Sequence, residues 1–567
     1  MRTPLSWLQM ALGWPSDARS GRPSSSRVLS WIVSIGLITV CVQAQGQNVY
    51  VNPCREFEGP ADGTQEHPYP TLTGAVAAAP VGSTVVLQGS QWRQFGQSFP
   101  PFTVAYPETG LFTKKLKIET QEGSAVVGQP HGTRRLWQLT GETDLEVNIP
   151  TASRTASRYG LAGTDLGSSF EHQGRIYFLF GDTWPSFDPD GENLLPIRPT
   201  NSDSIGWIPT NTDPEQPVSI NIITAPDGYY LPPILRRSDG QYVCLEENGE
   251  CQAEYEVPLG GFSANGQMYV FFSTDHTKRP PGPEEDYMGR SVLSRLYDLG
   301  STARMFTYLY DVSCLPDIAP CSFPDGSPKP PVGHFINVAP VVVDNADIPE
   351  LLQAMGPGRG VLLWGTGLYH ESDPYLAYIP LDGVENPASW RYAVTDGDAG
   401  HLQGWGNNES DATTPLFVQE CGVLGIHCRM GEFSVTWNPF LRKWLMLYNH
   451  GNPATSGFAI NYRVADKPWG KWEGPYVLYD PACDRGFCHF MHVEGCDAVG
   501  DGIIPGLATR RGIVYAPYVI SPFTKRDATT TSIYWTMSTW NPYQVMLMKS
   551  VLRLSDARRV DHPLPPQ

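Results

Sequence analysis

One stretch, residues 163–184, constrains the fold more than any other because it has the pattern of a β-hairpin with an acidic residue in each strand. Its second half contains an apolar run, Ile176–Phe180. An apolar run without alternation predicts a strand that is buried on both faces. The segment Glu171–Gly174 predicts a four-residue turn, which would place Phe170 opposite Arg175.

This predicted turn sets the relation between two aspartates. Counting outward, Asp165 faces Phe180, and Gly163 faces Asp182. The two carboxylates would then share one face as diagonal neighbours, roughly 7–8 Å apart. That separation suits carboxylates that flank a glycosidic bond with room for a water, the inverting arrangement of about 6.5–9.5 Å, and Trp184 is placed to stack on a sugar ring. A turn one residue shorter would put the aspartates on opposite faces. The alternative is that both are turn residues, since Asp and Gly dominate strand ends.

The same hairpin resembles the opening of a known family. Gly163–Gly167 followed by Phe180–Trp184 is similar to the first strands of DUF4185 proteins, which share the fold of the GH183 endo-D-arabinanases. The resemblance runs from about residue 155 to about residue 550 and includes segments 260–270, 337–341, 431–439, 463–472 and 515–520. It implies a five-bladed β-propeller with Asp165 and Asp182 at the positions of the acid/base carboxylates. It does not imply a substrate, because one fold can host several activities.

Strand patterns recur at long intervals through the same region. In each unit an early strand with small residues precedes a stronger apolar strand, and the units are 164–180, 260–273, 337–364, 432–448 and 512–536. Units of roughly 70–95 residues predict a β-propeller of four-stranded blades with long insertions. Periodicity alone leaves a pair of β-sandwiches open, and the family resemblance favours the propeller. The predicted fold is therefore all-β, a five-bladed propeller preceded by a small module.

The N-terminal part predicts a signal peptide and that module. Val28–Val42 is an apolar run of 15 residues after a polar leader, and cleavage is expected after Ala44. A signal anchor is the alternative, although the run is shorter than the ~20 residues that a spanning helix needs. The segment after it resembles the first coil of pectate-lyase-type right-handed β-helices, and about a hundred residues cannot build a full β-helix. The predicted domains are 1–44 (signal peptide), 45–150 (truncated β-helix-like accessory module), 151–555 (propeller) and 556–567 (C-terminal tail).

Cysteine usage agrees with secretion. Eleven cysteines become ten once Cys41 leaves with the signal peptide. Eight form the close pairs Cys244/Cys251, Cys314/Cys321, Cys421/Cys428 and Cys483/Cys488, and the remaining Cys54 and Cys496 could pair with each other. An even count in a secreted chain predicts disulfides. A zinc site is the alternative for Cys483, Cys488, His489, His492 and Cys496, and an oxidising compartment disfavours it.

Residues from other units are candidates to complete a binding pocket. Glu432, at the start of the fourth inner strand, could bind sugar hydroxyls or raise the pKa of a neighbouring acid. The alternative for Glu432 is a solvent-exposed strand start. Asp203 and His450 are weaker candidates for substrate binding, because turn caps and structural histidines are the common roles of such residues. No cofactor or metal is predicted, and a calcium ion in the channel is left open.

Composition and motifs together predict a function. The net charge of −18 argues against a nucleic-acid partner. We expect a secreted glycoside hydrolase-like protein that cleaves arabinofuranosyl or related linkages of a polysaccharide by an inverting two-carboxylate mechanism. No stable membrane insertion is expected after signal cleavage. The alternative function is a non-catalytic carbohydrate-binding or adhesion propeller, with the N-terminal module as a spacer.

Overall fold

The structure is a computed structural model of the chain. It describes residues 47–52, 61–65, 67–69, 72–88, 104–106, 117–121, 125–127, 132–186, 202–233, 235–236, 257–278, 286–296, 306–315, 321–369, 371–418, 429–449, 459–481, 484, 486–492, 503, 512–527 and 530–553. The predicted signal peptide and C-terminal tail lie outside these residues. Within them, no helix is both long and apolar enough to cross a membrane.

The N-terminal segment contains two sets of parallel strands. Its elements are β1 (Asn48–Val51), α1 (Leu72–Ala78), β2 (Thr84–Gln88), β3 (Val104–Tyr106), β4 (Lys117–Gln121) and β5 (Ala125–Val127). β1, β2 and β4 form one parallel sheet, and β3 pairs with β5. Helix α1 packs its apolar side chains against β1 and β2. Parallel pairing alone does not establish a β-helix coil, so that part of the expectation stays a prediction.

The remaining strands form five larger sheets, the blades, and two separate two-stranded sheets. The blades follow β6 (Thr133–Gln138), the paired strands β7 (Thr143–Asp144) and β8 (Ile149–Pro150), and α2 (Thr155–Tyr159). Blade 1 contains β9 (Leu161–His172), β10 (Arg175–Pro185), β11 (Ser202–Pro209) and β12 (Asn221–Ile222). Blade 2 contains β13 (Leu235–Arg236), β14 (Val257–Ala264), β15 (Gln267–Lys278), β16 (Asp286–Leu296) and β17 (Phe306–Cys314), and a hairpin of β18 (Cys321–Ser322) and β19 (Pro328–Lys329) follows it.

Blade 3 contains β20 (Asn337–Asp344), β21 (Arg359–Thr366), β22 (Tyr375–Pro380), β23 (Arg391–Thr395) and β24 (Leu402–Gly406), and α3 (Pro349–Met355) lies between β20 and β21. Blade 4 contains β25 (Phe433–Asn438), β26 (Lys443–Asn449), β27 (Ile460–Ala465) and β28 (Glu473–Tyr479). Blade 5 contains β29 (Val514–Val519), β30 (Lys525–Arg526), β31 (Thr530–Trp540) and β32 (Tyr543–Arg553). Short 3-10 turns at 345–347, 381–383, 387–389, 397–399, 409–411 and 521–523 connect the strands.

The five sheets close into a β-propeller, as predicted. The inner strands β9, β14, β20, β25 and β29 lie side by side, and β29 returns to β9. Glycines permit the close approach: a Cβ at Gly260 of β14 would lie 2.6 Å from Pro340 Cδ of β20, and one at Gly261 would lie 2.4 Å from Phe170 Cε1 of β9. Each predicted unit of two strands corresponds to the inner strand and its neighbour in one blade.

The ring is closed by a strand from the N-terminal side of the propeller. β6 pairs antiparallel with β32 and becomes the outermost strand of blade 5. The Thr133 hydroxyl also donates to the Leu478 carbonyl of blade 4 at 2.7 Å. β6 lies inside the 45–150 segment expected to form the accessory module, so this part of that segment completes the propeller.

The first hairpin turns in two residues rather than the four that we predicted. His172 pairs with Arg175, which leaves only Gln173 and Gly174 in the turn. Their φ values of 47° and 76° are those of a type I′ turn, whose twist matches that of the flanking strands. The predicted pairing of Phe170 with Arg175 is therefore wrong.

Candidate active site

Asp165 lies opposite Gly181 rather than opposite Phe180 as predicted, because the shorter turn moves the register by two residues and a β-bulge moves it back by one. Leu166 and Gly167 follow Asp165 with φ values of 60° and 98°. The pairing shifts by one residue there, so Phe180 pairs with Leu166 and Gly181 pairs with Asp165. Bulges re-aim side chains and are frequent beside active sites.

A second irregularity, on β10, positions Asp182. Gly163 pairs with Trp184 and not with Asp182, so Asp182 and Thr183 together oppose the single residue Thr164. The hydroxyls of Thr164 and Thr183 lie 2.8 Å apart, which fixes the bulged strand to β9. The alternation assumed in the diagonal prediction therefore does not hold at this point. Asp182 is partly exposed.

Asp165 is buried beside Asp182. It is 7% exposed, and its Oδ2 accepts a hydrogen bond from the Tyr515 hydroxyl at 2.9 Å. Burial, and then the neighbouring Asp182 charge, raise the pKa of Asp165 well above its usual value. The hydroxyls of Tyr543 and Tyr515 act in the opposite direction, because they stabilise the ionised carboxylate.

Glu432 is a third buried carboxyl of the same region. It immediately precedes β25 and is 6% exposed, so the alternative of a solvent-exposed strand start is excluded. Its Oε1 accepts a hydrogen bond from the Tyr369 hydroxyl, and burial raises its pKa above the usual value. Its charge also contributes to the raised pKa of Asp165.

Tyrosines from blades 3 and 5 surround these carboxyls. Tyr369 follows β21, Tyr515 and Tyr518 lie on β29, and Tyr543 begins β32. Burial and the nearby carboxylates hold the pKa of each phenol well above its usual value, so all four stay protonated hydrogen-bond donors. Sequence reasoning missed these residues. The available signal was the 515–520 segment, which resembles the DUF4185 pattern and forms an inner strand.

The family comparison matches the half of the propeller that supplies most of this set. A domain of unknown function, DUF4185, matches residues 342–549. This part of the chain is a DUF4185 domain. It contains Glu432 and all four tyrosines, whereas Asp165 and Asp182 lie before it in the sequence.

Several solved structures are similar to the chain at low sequence identity. A candidate hydrolase from Bacteroides ovatus ATCC 8483 is 13% identical with a TM-score of 0.41, covering 72% of this chain and 90% of that chain. A thermostable family-43 glycoside hydrolase is 12% identical with a TM-score of 0.31, covering 69% and 89%. The catalytic domain of the Coprinopsis cinerea GH62 α-L-arabinofuranosidase is 10% identical with a TM-score of 0.33, covering 74% and 98%. No curated protein matches the chain.

The other predicted substrate-binding residues do not share one environment. Trp184 is 8% exposed and packs against Tyr543. Asp203 is 1% exposed on β11, which β10 separates from β9. His450 lies outside the described residues. Their proposed roles in binding stay predictions.

One predicted disulfide is confirmed. Cys314 and Cys321 are bonded, with their Cα atoms 5.9 Å apart. Cys488 is also disulfide-bonded, which removes its thiolate from the zinc alternative. The described residues hold no group of three metal-ligating side chains. The other cysteines named above, Cys54, Cys244, Cys251, Cys421, Cys428, Cys483 and Cys496, lie outside the described residues.

The arrangement suits acid–base chemistry on a bound sugar. Asp165 is buried and holds its proton to an unusually high pH, while its neighbour Asp182 is partly exposed. Carboxyls placed in contrasting environments can take the acid and base roles of one reaction.

Proposed function

We propose that the protein is a secreted glycoside hydrolase in which Asp165 donates a proton and Asp182 activates water. The observation that carries this proposal is the raised pKa of buried Asp165 beside partly exposed Asp182. Glycoside hydrolysis requires one carboxyl that keeps its proton and one that is ionised.

The two oxygens of Asp165 have different surroundings, and this supports its role as the acid. Oδ2 accepts the hydrogen bond from Tyr515. Oδ1 is buried against the backbone of Gly181, where no side chain intervenes. Because Oδ1, unlike Oδ2, has no hydrogen-bond partner among the described residues, we assign the proton of Asp165 to Oδ1, from which it passes to the leaving oxygen.

Asp182 is the proposed base. It takes a proton from water as the water oxygen bonds to the anomeric carbon, and the glycosidic C–O bond breaks as Asp165 protonates the leaving oxygen. After the reaction Asp165 is ionised and Asp182 is protonated. Proton exchange with solvent restores the starting state of both carboxyls. The anomeric configuration is inverted.

The proposed substrate is an arabinofuranosyl or related polysaccharide. This rests on the resemblance of the hairpin to that of the endo-D-arabinanases. Secretion is supported by the predicted signal peptide and by the Cys314–Cys321 disulfide, since disulfides persist in oxidising compartments.

Reducing-end release from D-arabinan and arabinogalactan tests the proposal. We expect Asp165→Asn and Asp182→Asn each to lower kcat by about 10²–10⁴-fold, the usual contribution of acid–base catalysis. Asp325→Asn is the control, because Asp325 is exposed in the turn between β18 and β19. Wild-type rates in Asp165→Asn and Asp182→Asn would overturn the assignment of these residues as acid and base.

Glycan binding without turnover is the second candidate function. The burial of both Asp165 and Glu432 favours it, since each is less than a tenth exposed. Binding on a glycan array, with no hydrolysis of any bound glycan, would select this function.

A further inference from the structure

The Tyr518 hydroxyl lies buried near the carboxyls without a hydrogen-bond partner among the described residues. The Tyr518 side chain is 3% exposed, and its hydroxyl is its only polar atom. A buried donor that remains unpaired is costly, so native structures usually satisfy it with protein, water or ligand. This donor therefore calls for a partner that is not one of the described side chains.

The backbone around Tyr518 is fixed from two sides. The Ser434 hydroxyl donates to the Pro517 carbonyl at 2.8 Å and accepts from the Val519 amide at 3.0 Å, which ties β29 to blade 4. The Thr536 hydroxyl lies 3.4 Å from the Tyr518 carbonyl and 3.0 Å from that of Gly167 in blade 1. The backbone of Tyr518 is thus tied to blades 1 and 4, which carry Asp165 and Glu432.

Glu432 supplies a complementary acceptor. Its Oε1 is occupied by the Tyr369 hydroxyl, while its buried Oε2 accepts no hydrogen bond from the described residues. Among the charges that act on the Tyr518 hydroxyl, that of Glu432 is the largest and that of Asp165 is next. Ser434, two residues after Glu432, hydrogen-bonds to the backbone on both sides of Tyr518, so the two residues are neighbours across β25 and β29. The phenol and Oε2 are both buried there, and neither has a hydrogen-bond partner among the described residues.

We propose that the Tyr518 hydroxyl and Glu432 Oε2 together bind one hydroxyl of a neutral sugar, in a subsite beside Asp165. A sugar hydroxyl can accept from the phenol and donate to the carboxylate at the same time. A carboxylate or sulfate group of an acidic glycan has no proton for Oε2 and would meet its negative charge. Tyr518 and Glu432 are thus substrate-binding residues that select uncharged sugar rings. This inference rests on the proposed function because it assigns a subsite to the same candidate active site.

Binding to an inactive parent separates this subsite from catalysis. The parent is Asp182→Asn, and the probes are neutral oligosaccharides from D-arabinan and from galactan, titrated by calorimetry. We expect Tyr518→Phe to raise the dissociation constant about tenfold, as loss of a hydrogen bond to a bound ligand does. Glu432→Gln is also expected to raise the dissociation constant, because the glutamine amide replaces the charged acceptor oxygens with one neutral acceptor and one donor.

Tyr479→Phe is the matched control. Tyr479 on β28 is also buried and has a hydroxyl without a hydrogen-bond partner among the described residues, but the charges around it are Asp484, Asp480 and Glu146. Tyr479→Phe should leave the dissociation constant of the oligosaccharide unchanged. Its effect on thermal stability should be similar to that of Tyr518→Phe. A loss of affinity confined to Tyr518→Phe therefore cannot be a general effect of removing a buried hydroxyl.

The outcomes are distinct from those of the hydrolysis assay. Equal affinity in the parent and in Tyr518→Phe would overturn the subsite and would mean that only a water occupies it. Absence of hydrolysis in the wild type, together with a tenfold loss of binding in Tyr518→Phe, would overturn the proposed reaction and support the subsite. No binding of either probe and no hydrolysis would overturn both.

Discussion

Asp165 and Gly181 face each other across β9 and β10, and a Cβ at position 181 would lie 2.6 Å from Asp165 Oδ1. The same Cβ would lie 2.8 Å from Leu166 Cδ1. Contacts this short require the carboxyl or the backbone to move. The glycine is therefore part of what holds the proposed proton donor in place.

Gly181→Ala should displace Asp165 and lower kcat by about 10²-fold, since a shift of about 1 Å in a catalytic group can cost that much. Gly404→Ala is the control, because nothing lies within 4 Å of a Cβ built at that strand glycine. Kinetics on D-arabinan measure both variants. Full activity in Gly181→Ala would show that the position of Oδ1 is unimportant for the reaction.

Tyr515→Phe should shift the pH dependence of hydrolysis. The Tyr515 hydroxyl stabilises ionised Asp165, so its loss raises the pKa of Asp165 further. If Asp165 is the proton donor, activity is lost as pH rises through that pKa, and the alkaline limb of the kcat profile moves to higher pH in the variant. Tyr479→Phe should leave the profile in place. An alkaline limb that stays fixed in Tyr515→Phe, or that moves to lower pH, would contradict the assignment.

Asp165→Asn should stabilise the protein at alkaline pH. Because the native pKa of Asp165 is raised, the native state holds this proton while the unfolded chain, with a pKa of about 3.9, has released it. The free energy of unfolding therefore falls as pH rises from about 4 through the native pKa, by about 1.4 kcal/mol for each unit of difference. Calorimetry at pH 4 and pH 8 should show a higher melting temperature for the variant only at the higher pH. The same difference at both pH values would count against this linkage.

Deletion of β6 should open the propeller. A chain that begins at Gly132 retains the strand, whereas one that begins at Gly141 loses its pairing with β32 and exposes that strand as a free edge. We expect the longer chain to keep a cooperative thermal transition and the shorter one to melt at a lower temperature or aggregate. Identical melting curves would show that β6 is not required for closure.

The propeller could be predicted from the sequence because each blade begins with the same local pattern. The unit 260–273 corresponds to β14 and β15, and the unit 432–448 corresponds to β25 and β26 with Glu432 just before them. Strand pairs of this kind depend on nearby residues. The closing strand β6 could not be assigned in the same way, because its partner β32 lies some four hundred residues later in the chain.

The details of the site depend on features that strand patterns do not carry. A single bulge at Leu166 and Gly167 changes the partner of Asp165, and a two-residue turn replaces the four-residue turn that we predicted. The acids were predicted, but the hydroxyls around them were not. Tyr369 and Tyr518 approach Glu432 only because the inner strands of blades 3, 4 and 5 lie side by side.

The configuration of the first-formed product tests the proposed mechanism most directly. Purified protein is mixed with D-arabinan, and NMR follows the anomeric protons of the new reducing ends before they equilibrate. The assignment of Asp165 as acid and Asp182 as base to water predicts that the inverted anomer appears first, and that Asp182→Asn does not form it at a comparable rate. A first product of retained configuration, or undiminished release by Asp182→Asn, would contradict it.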